Sequence, residues 1–303
     1  MTLIFTTISP EAVTMVGDRR LTRNGAVYKE NSTKQGYLLT PDAAVLYGYT
    51  GLAEAGNFRL QRWIGDALLN ITKDKEIPFE ELMHCLADEA TKLFKEHITL
   101  KRVDRSIIHT TMVFAGFMGN SDPVLALVSN FENETAHPDR IAWDSFKATV
   151  LRSDRHKAEG SATFLTGNVR GIKFKRWSEL NDLLKQGKPT KALVGKSIDL
   201  LNEAAASPDS GNLIGKNKMV AYFAAPMNGT PPPPSSSFVS EHDSSVVYAL
   251  DQINICPEAR VFISDLQIRV QQDQAIIRAE RSPNTPCSCG SNIKFKYCHG
   301  HGS

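Results

Sequence analysis

The sequence has few of the features that mark secreted, membrane-spanning or nucleic-acid-binding proteins. Only five of its 303 residues are cysteines, and three of them crowd into the end of the chain, unlike the even spread of a disulfide framework. No apolar run approaches the roughly 20 residues of a membrane helix, and the N-terminus lacks the basic and apolar regions of a secretory signal. With a net charge of only +2, a nucleic acid is not expected as the main partner. We therefore expect a cytoplasmic protein without a membrane span.

What is present is the composition of a globular protein. Hydrophobic residues make up 41% and charged residues 22% of the chain. A chain of this length can bury a sizeable core and forms either one large domain or one domain with an appendage. The residues that suggest chemistry are concentrated in two places, the first 51 residues and the tail from Pro286 onward.

The first 51 residues predict a hairpin that returns the chain to its own start. Residues 2–8 and 12–17 resemble strands, and Ser9-Pro10 suits the turn between them because proline fixes φ and lacks a donor. Thr2 is a small residue after Met1, which favours removal of the initiator methionine. The mature chain would then begin with a residue that combines a hydroxyl nucleophile with an α-amine base. The ordinary pKa of such an amine is roughly 7.7–8.0.

Four residues of this stretch occur at a characteristic spacing: Thr2, Asp18 in a Gly-Asp pair, Lys34, and Gly48 in a glycine-containing segment. In this pattern the stretch resembles the start of the proteasome-type N-terminal-nucleophile (Ntn) hydrolases, which include the proteasome β-subunits and the bacterial HslV peptidase. The resemblance implies that the Thr2 hydroxyl attacks an amide carbonyl. It also implies that the Thr2 α-amine accepts the hydroxyl proton.

The resemblance gives a role to each of the other residues. Lys34, buried beside the hydroxyl, favours the alkoxide, and Asp18 keeps that lysine charged and oriented. The N–H of Gly48 supplies the oxyanion hole, and Arg20 braces Asp18 or the loop that follows it. From residue types alone an ordinary alternative stays open, in which Met1 is retained, the ion pair is structural and the glycine belongs to a turn.

Three further site residues follow from the same resemblance. Leu46 lies near the pocket for the residue before the scissile bond, which favours an apolar side chain there. Ser161, within residues 159–164, resembles the serine of the family's Gly-Ser-Gly segment, which orders the water and the terminal amine; a serine in a tight turn is the alternative. Asp209 resembles the family's aspartate that touches the terminal amine. If the chain is instead aligned on Ser210-Gly211, the position of that aspartate falls on Ser207. The ordinary alternative is an aspartate in a turn.

The order of predicted elements is that of an α+β protein. The apolar patterns predict helices over 51–71 and from Pro78 onward, strands over 106–116, 124–129 and 146–152, helices over 177–184 and 190–206, and a strand over 218–225. This order resembles the four-layer αββα sandwich of the Ntn hydrolases, which would occupy residues 2–225. Residues 226–280 contain a Pro- and Ser-rich stretch and further predicted strands. Three roles for these strands stay open from the sequence: extension of a sheet, cover for a sheet edge, or an assembly surface.

Residues 281–303 contain a second, independent motif. Cys287 and Cys289 form a Cys-x-Cys pair, and after eight residues Cys298 and His299 follow. This pattern resembles the SEC-C motif, the small zinc-binding tail of the SecA translocase. Three thiolates and one imidazole can form a closed, structural tetrahedral zinc site, with His301 as a possible substitute ligand. The resemblance also implies that the tail binds a protein partner.

Together these observations predict a threonine-type peptidase. It would cleave peptide bonds through an acyl ester on Thr2, work in a ring-like homo-oligomer and use no cofactor for catalysis. Two alternatives stay open from the sequence: a small-molecule amidohydrolase on the same fold, and a non-catalytic adaptor in which the zinc tail recruits a partner.

Overall fold

The computed structural model describes residues 2–23, 26–104, 108–119, 121–132, 141–152, 161–226, 235–239, 246–248, 250–257, 260–264, 266–271 and 274–279. Within these ranges the chain has a mixed α/β architecture. The strands are β1 (Leu3–Ile8), β2 (Ala12–Asp18), β3 (Leu21–Arg23), β4 (Ala26–Lys29), β5 (Gln35–Leu39), β6 (Ala43–Gly51), β7 (Glu54–Ala55), β8 (Phe58–Arg59), β9 (Thr110–Met118), β10 (Asp122–Ser129), β11 (Lys147–Arg152), β12 (Ala162–Gly167), β13 (Lys218–Ala224), β14 (Ser235–Val239), β15 (Val246–Tyr248), β16 (Asp251–Asn254), β17 (Val261–Ile263), β18 (Leu266–Gln271) and β19 (Gln274–Ala279). The α-helices are α1 (Leu60–Ile71), α2 (Phe79–Glu96), α3 (Phe174–Lys185) and α4 (Thr190–Ala206).

Two large sheets contain most of these strands. The five-stranded sheet has the order β12-β1-β2-β13-β14, and the seven-stranded sheet has the order β11-β10-β9-β6-β5-β16-β17. Neighbouring strands in both sheets are antiparallel except β16, which runs parallel to β5. None of the helices in the described ranges is long and apolar enough to cross a membrane.

The apolar core follows the faces of the two sheets. In β1, Leu3 and Phe5 pack towards α3 and α4, whereas Ile4 and Ile8 pack towards the seven-stranded sheet. Helices α1 and α2 contribute to the cluster on the other face of the seven-stranded sheet. Both faces of β1 are therefore covered, and all six of its residues are buried. The close packing of this strand fixes the position of the residue that precedes it, Thr2.

The predicted N-terminal hairpin is confirmed. β1 and β2 pair from Ile4 opposite Gly17 to Ile8 opposite Val13, and the turn is closed by a hydrogen bond from Ser9 N. The antiparallel pairing returns the chain to its start, so that residue 18 ends the second strand beside the beginning of the first.

The helix predicted over residues 51–71 begins later than expected, at Leu60. The preceding residues instead complete β6 and form the small hairpin β7-β8. Gly51 (φ 87°) and Gly56 (φ 57°) adopt left-handed backbone conformations that favour glycine. The chain therefore turns twice before it enters the helix. By contrast, α4 has the predicted bounds and α3 begins three residues before the predicted start.

Strands that follow residue 226 add to both large sheets. β14 pairs with β13, and β16 pairs with β5. The Gln61 side chain of α1 donates a hydrogen bond to the Asp251 carboxylate of β16. Phe262 of β17 packs so closely on α1 that a Cβ at Gly65 would lie 2.5 Å from its ring. Of the roles considered for this region, the structure shows extension of the sheets.

Candidate active site

The hydroxyl of Thr2 and the ammonium of Lys34 are in direct contact. Lys34 Nζ donates a hydrogen bond to Thr2 Oγ1, and the two residues are only 2% and 3% exposed, respectively. Thr2 directly precedes β1 of the five-stranded sheet, and Lys34 directly precedes β5 of the seven-stranded sheet. One residue from each sheet thus meets at this point. A positive charge beside a hydroxyl in a site with little water favours the alkoxide and hence nucleophilic attack.

Asp18, at the end of β2, accepts hydrogen bonds from three backbone amides as well as from Lys34. Leu3 N donates to Oδ1 at 2.9 Å, and Oδ2 accepts from Arg20 N at 3.0 Å and from Gly215 N at 3.2 Å. The Lys34 ammonium lies 3.4 Å from Oδ2 in a completely buried ion pair. A buried carboxylate needs such donors, and the backbone amides hold Asp18 in place independently of the lysine.

Burial controls the proton affinity of Lys34. It lowers the pKa of Lys34 below the ordinary value of 10.5, and this effect outweighs the attraction of Asp18, which raises that pKa. The nearby charges of Arg19 and Arg20 lower it further. Lys34 Nζ also donates to the Arg20 carbonyl. A lysine with a lowered pKa exchanges a proton with the hydroxyl it touches at less energetic cost than an ordinary lysine.

A Gly-Asn pair at the end of β12, which the sequence analysis did not single out, lies against Thr2. Asn168 N donates to the Thr2 carbonyl at 2.9 Å. Gly167 has a φ of 100°, and a Cβ at this position would lie 1.9 Å from the Thr2 carbonyl oxygen. In an antiparallel pair the N–H and C=O of one residue face the same neighbour. Asn168 is therefore the residue opposite Thr2, and glycine before asparagine at a strand end was the available sequence signal.

Glu132 is a second residue that the sequence analysis missed. It follows β10 and is 8% exposed, and its Oε1 accepts a hydrogen bond from Gly167 N at 2.9 Å. Burial raises the pKa of Glu132 to about 7, although the Gly167 N–H and the Thr111 hydroxyl partly offset this effect. No sequence motif marks this glutamate, because its partner is a backbone amide on the other sheet.

Ser161 is not brought to Thr2. It directly precedes β12, in which Ala162 lies opposite Ile8 whereas Gly167 lies opposite Leu3. At about 3.3 Å per strand residue, Ser161 is separated from the threonine by roughly the length of β1. The antiparallel direction of β12 is the reason, because it places the end of this strand, rather than its beginning, beside Thr2. The strand register therefore does not support the role predicted for Ser161, which stays a prediction.

Asp209 is exposed, and its neighbour Ser210 is the residue of this loop that faces inward. Both lie in a short 3-10 turn, Pro208–Ser210, after α4. Ser210 is 1% exposed, and its carbonyl accepts from Asn168 Nδ2 at 3.1 Å. The Asp209 backbone N donates to Ser207 Oγ at 3.3 Å. The structure thus connects Ser210, rather than the Asp209 carboxylate, to the residue beside Thr2.

Gly48 lies inside β6, where packing explains the absence of a side chain. A Cβ there would lie 2.8 Å from Met15 Sδ of the opposite sheet. Tyr49 N donates to the Lys34 carbonyl at 3.2 Å, and successive N–H groups of a strand point to opposite neighbours. The Gly48 N–H is therefore directed at β9, away from Lys34. The strand geometry does not support the donor role predicted for Gly48.

Leu46 also belongs to the interior. It is 0% exposed and lies in the apolar cluster between the two large sheets. Its side chain faces the five-stranded sheet rather than solvent. The predicted role in a substrate pocket stays a prediction, and a packing role is what the structure describes.

The four predicted zinc ligands, Cys287, Cys289, Cys298 and His299, lie outside the described residues. Within the ranges that the structure describes, no group of three or more His, Cys, Asp or Glu side chains is arranged to hold a metal ion. Cys85 and Cys256, the cysteines of these ranges, carry no disulfide.

The fold and the tail resemble different known proteins. Among solved structures, the fold is similar to Anbu in a helical assembly from Pseudomonas aeruginosa (TM-score 0.52, 9% identity, 80% of this chain and 88% of that chain covered). It is also similar to an Anbu mutant from Hyphomicrobium sp. strain MC1 (TM-score 0.51, 10% identity, 80% and 89% covered). At such low identities the likeness shows the fold alone.

The second comparison concerns the end of the chain. The SEC-C motif matches residues 284–300, a segment that contains all four predicted zinc ligands. No curated protein matches the sequence significantly.

Proposed function

We propose that this chain is a proteasome-like threonine hydrolase that cleaves peptide bonds once Met1 has been removed. The observation that supports this proposal best is the buried contact chain from Thr2 Oγ1 through Lys34 Nζ to the Asp18 carboxylate. A structural ion pair does not require a hydroxyl at its end. Here the hydroxyl belongs to the second residue of the chain, where processing would expose an amine in the same residue.

The proposed reaction proceeds in two steps. Thr2 Oγ1 forms a bond to the amide carbonyl carbon while the Thr2 α-amine takes up the hydroxyl proton. The C–N bond then breaks, the amine product leaves with that proton, and an acyl ester remains on Thr2. Water adds to this ester with loss of a proton to the α-amine. The bond between the carbonyl carbon and Thr2 Oγ1 then breaks and the carboxylic acid is released. The α-amine returns its proton to Oγ1, which restores the threonine hydroxyl.

The residues around Thr2 have distinct tasks in this mechanism. The Lys34 ammonium stabilises the alkoxide during attack, and Asp18 holds the lysine in position. The Asn168 N–H fixes the Thr2 carbonyl and so the orientation of the N-terminal residue. Closely packed partners of this kind reduce the reorganisation that catalysis requires.

We also propose that the two sheets and their flanking helices form the four-layer Ntn sandwich over residues 2–225 and that the protein assembles with itself in the cytoplasm. The Pseudomonas aeruginosa relative in fold was solved as a helical assembly, which supports a homo-oligomer here. Mass photometry of the purified chain is expected to show multimers, and a monomer at micromolar concentration would contradict this part of the proposal.

The tail is proposed to hold a structural zinc ion. The match of the SEC-C motif supports this assignment, and three thiolates with one imidazole are a donor set that zinc prefers. Cys287, Cys289, Cys298 and His299 would hold the metal and fold a segment too short to bury a core of its own. No catalytic step depends on this site.

Intact mass spectrometry after exposure to a peptide epoxyketone tests the hydrolase proposal. This reagent reacts with a hydroxyl and an adjacent free α-amine together. One adduct is expected on a chain that lacks Met1, and Thr2→Ala should abolish it. Thr7→Ala is a matched control, because Thr7 is a buried threonine of the same strand that bonds to Thr14 rather than to Lys34.

The outcomes of that experiment separate the competing functions. A chain that keeps Met1 and gains no adduct contradicts the hydrolase and favours an adaptor, for which the SEC-C match is the supporting observation. A processed chain without an adduct contradicts peptide recognition and directs the search to small amides.

A further inference from the structure

The layer between the two large sheets changes character at the end where Thr2 lies. Along most of its length this layer is apolar and contains residues such as Leu46 and Ala115, which lie opposite each other in β6 and β9. Further along the same strands it contains hydroxyl groups. Thr50 lies opposite Thr111, and Thr111 lies opposite Ser129. All three are at most 1% exposed, so this end of the interior is polar as well as dry.

The hydroxyl row orients the turn that carries Glu132. Ser129 Oγ is 2.7 Å from Thr111 Oγ1. The same oxygen accepts hydrogen bonds from Phe131 N at 3.1 Å and from Glu132 N at 2.8 Å. The chain therefore turns sharply after β10 and directs the Glu132 side chain at the neighbouring sheet.

The Glu132 carboxyl connects the two sheets at the nucleophile. Its Oε1 accepts from Gly167 N of the five-stranded sheet. Gly167 in turn lies close to both Thr2 and Thr50. A Cβ added at Gly167 would lie 1.9 Å from the Thr2 carbonyl oxygen and 3.0 Å from Thr50 Cγ2. Only one residue thus separates Glu132 from Thr2.

The second oxygen of Glu132 lacks a well-formed hydrogen bond among the described residues. Oε2 is buried near the Thr111 hydroxyl but makes no hydrogen bond of normal geometry to any residue that the structure describes. An incompletely satisfied buried carboxyl is costly, and a glutamine would make the same contact to Gly167 without burying an acid. Such a group is expected where a site uses it.

We propose that Glu132 is a positioning residue for the N-terminal nucleophile, which holds the Gly167–Asn168 corner of one sheet against Thr2 from the other sheet. The assignment rests on the proposed function, because Thr2 must be the nucleophile for its position to affect catalysis. Two hydrogen bonds support this assignment. Gly167 N donates to Glu132 Oε1, and Asn168 N donates to the Thr2 carbonyl.

Few other charged or titratable groups act in this neighbourhood of the described structure. Lys34 touches the Thr2 hydroxyl rather than its carbonyl and is paired with Asp18. His109 stacks on Phe131, with 4.5 Å between ring centroids. The pH profile of the nucleophile therefore depends on more than one group, and substitution of Glu132 isolates the part that is due to Glu132.

Three variants of the full-length chain test the proposal. Glu132→Gln keeps an acceptor for Gly167 N and cannot ionise, whereas Glu132→Ala removes the contact. Asn130→Ala is the matched control, because Asn130 is buried at the same strand end and bonds to Thr110 and Ile108 rather than to Gly167.

The first measurement is amide hydrogen exchange at Gly167 and Asn168, which does not require activity. Glu132→Ala is expected to accelerate exchange at both amides about tenfold or more, whereas Glu132→Gln and Asn130→Ala are expected to change it less than about threefold. Unchanged exchange in Glu132→Ala would overturn the proposal even if the protein proved to have no hydrolase activity.

The second measurement is the rate of epoxyketone adduct formation between pH 5.5 and 8.5. Glu132→Ala is expected to react about tenfold more slowly per folded molecule. Glu132→Gln should keep most of the rate at neutral pH but show a shifted pH profile. A wild-type chain that forms no adduct would refute the proposed hydrolase function. The exchange experiment would then decide whether Glu132 holds Gly167 and Asn168 in place. A reactive wild type with unaltered rates and profiles in both Glu132 variants would refute the positioning role alone.

Discussion

Lys34 is bonded to the Thr2 hydroxyl and paired with Asp18 in the same buried position, yet burial lowers its pKa in spite of that pairing. The relationship between Lys34 and Thr2 therefore differs from an ordinary ion pair at a strand end. Burial makes this lysine easier to deprotonate than an ordinary lysine, beside an atom that has to lose a proton in the proposed reaction.

Replacing Lys34 is expected to remove reactivity without unfolding the protein. Lys34→Met has a similar length and carries no charge, so the ammonium at Thr2 Oγ1 is lost while Asp18 keeps its three backbone donors. We expect adduct formation to slow by about 100-fold. The rate is measured by intact mass over time, with a melting curve as control. A well-folded variant that reacts as fast as the wild type would show that Lys34 is structural.

The same variant has a predicted effect on stability at high pH. The folded-state pKa of Lys34 is lowered, so between that pKa and the unfolded value of 10.5 the unfolded chain binds more protons. Stability conferred by this group therefore rises with pH in that window. Urea denaturation at several alkaline pH values should show that the wild type becomes more stable relative to Lys34→Met as pH increases. A constant difference would contradict the lowered pKa.

The raised pKa of Glu132 predicts that the free energy of unfolding falls, rather than rises, with increasing pH. Its pKa is about 7 in the folded protein against 4.5 ordinarily, so the folded state binds more protons between these values. The stability due to this group is fully present below pH 4.5 and is lost as pH rises through 7, by about 3 kcal/mol in total. Glu132→Gln should remove this component of the pH dependence of the free energy of unfolding. Parallel wild-type and variant curves from pH 4.5 to 7.5 would refute the prediction.

Gly167→Ala should be among the most damaging single substitutions in the site. Its φ of 100° and the 1.9 Å approach of the added Cβ to the Thr2 carbonyl oxygen leave no room for a side chain. A loss of about 3 kcal/mol or more and loss of adduct formation are expected. Gly187→Ala is the control, because its φ is also positive, at 63°, but no atom lies within 4 Å of the added group. Similar losses in both variants would show that backbone strain, rather than contact with Thr2, dominates.

Leu46→Ala distinguishes a core residue from a specificity residue. Since Leu46 is 0% exposed between the sheets, truncation should cost about 3 kcal/mol through loss of packing. Chemical denaturation gives this value, and a panel of fluorogenic peptides gives the specificity. A stable variant with altered preference at the residue before the scissile bond would instead support the pocket role.

The predictions from sequence were most successful where the signal was local. The β1-β2 hairpin and the approach of Thr2, Asp18 and Lys34 follow from strand patterns, a turn and three polar residues within a short stretch of chain. The late start of α1 was missed because two glycines with left-handed backbone interrupt an otherwise helical apolar pattern.

Contacts between distant segments were the harder part. The position of Ser161 relative to Thr2 was hard to predict because the direction of β12 relative to β1 depends on sheet order, which a single sequence does not encode in any short motif. Glu132 and Gly167 were overlooked for a related reason. Their interaction joins a side chain to a backbone amide across two sheets. The only local signal was the glycine before asparagine at residues 167–168, and Glu132 had none.

The strands beyond residue 226 have a consequence for how copies of this protein can associate. β14 covers the outer side of β13, and β16 with the three-residue strand β17 covers the outer side of β5. Without them, long strands at the sheet edges would expose unsatisfied amides and carbonyls to any passing extended chain. β13 and β5 are therefore not available as templates for strand addition. Within the described structure, strand addition between copies of the protein would have to use the strands that now end the two sheets, β12, β14, β11 and β17.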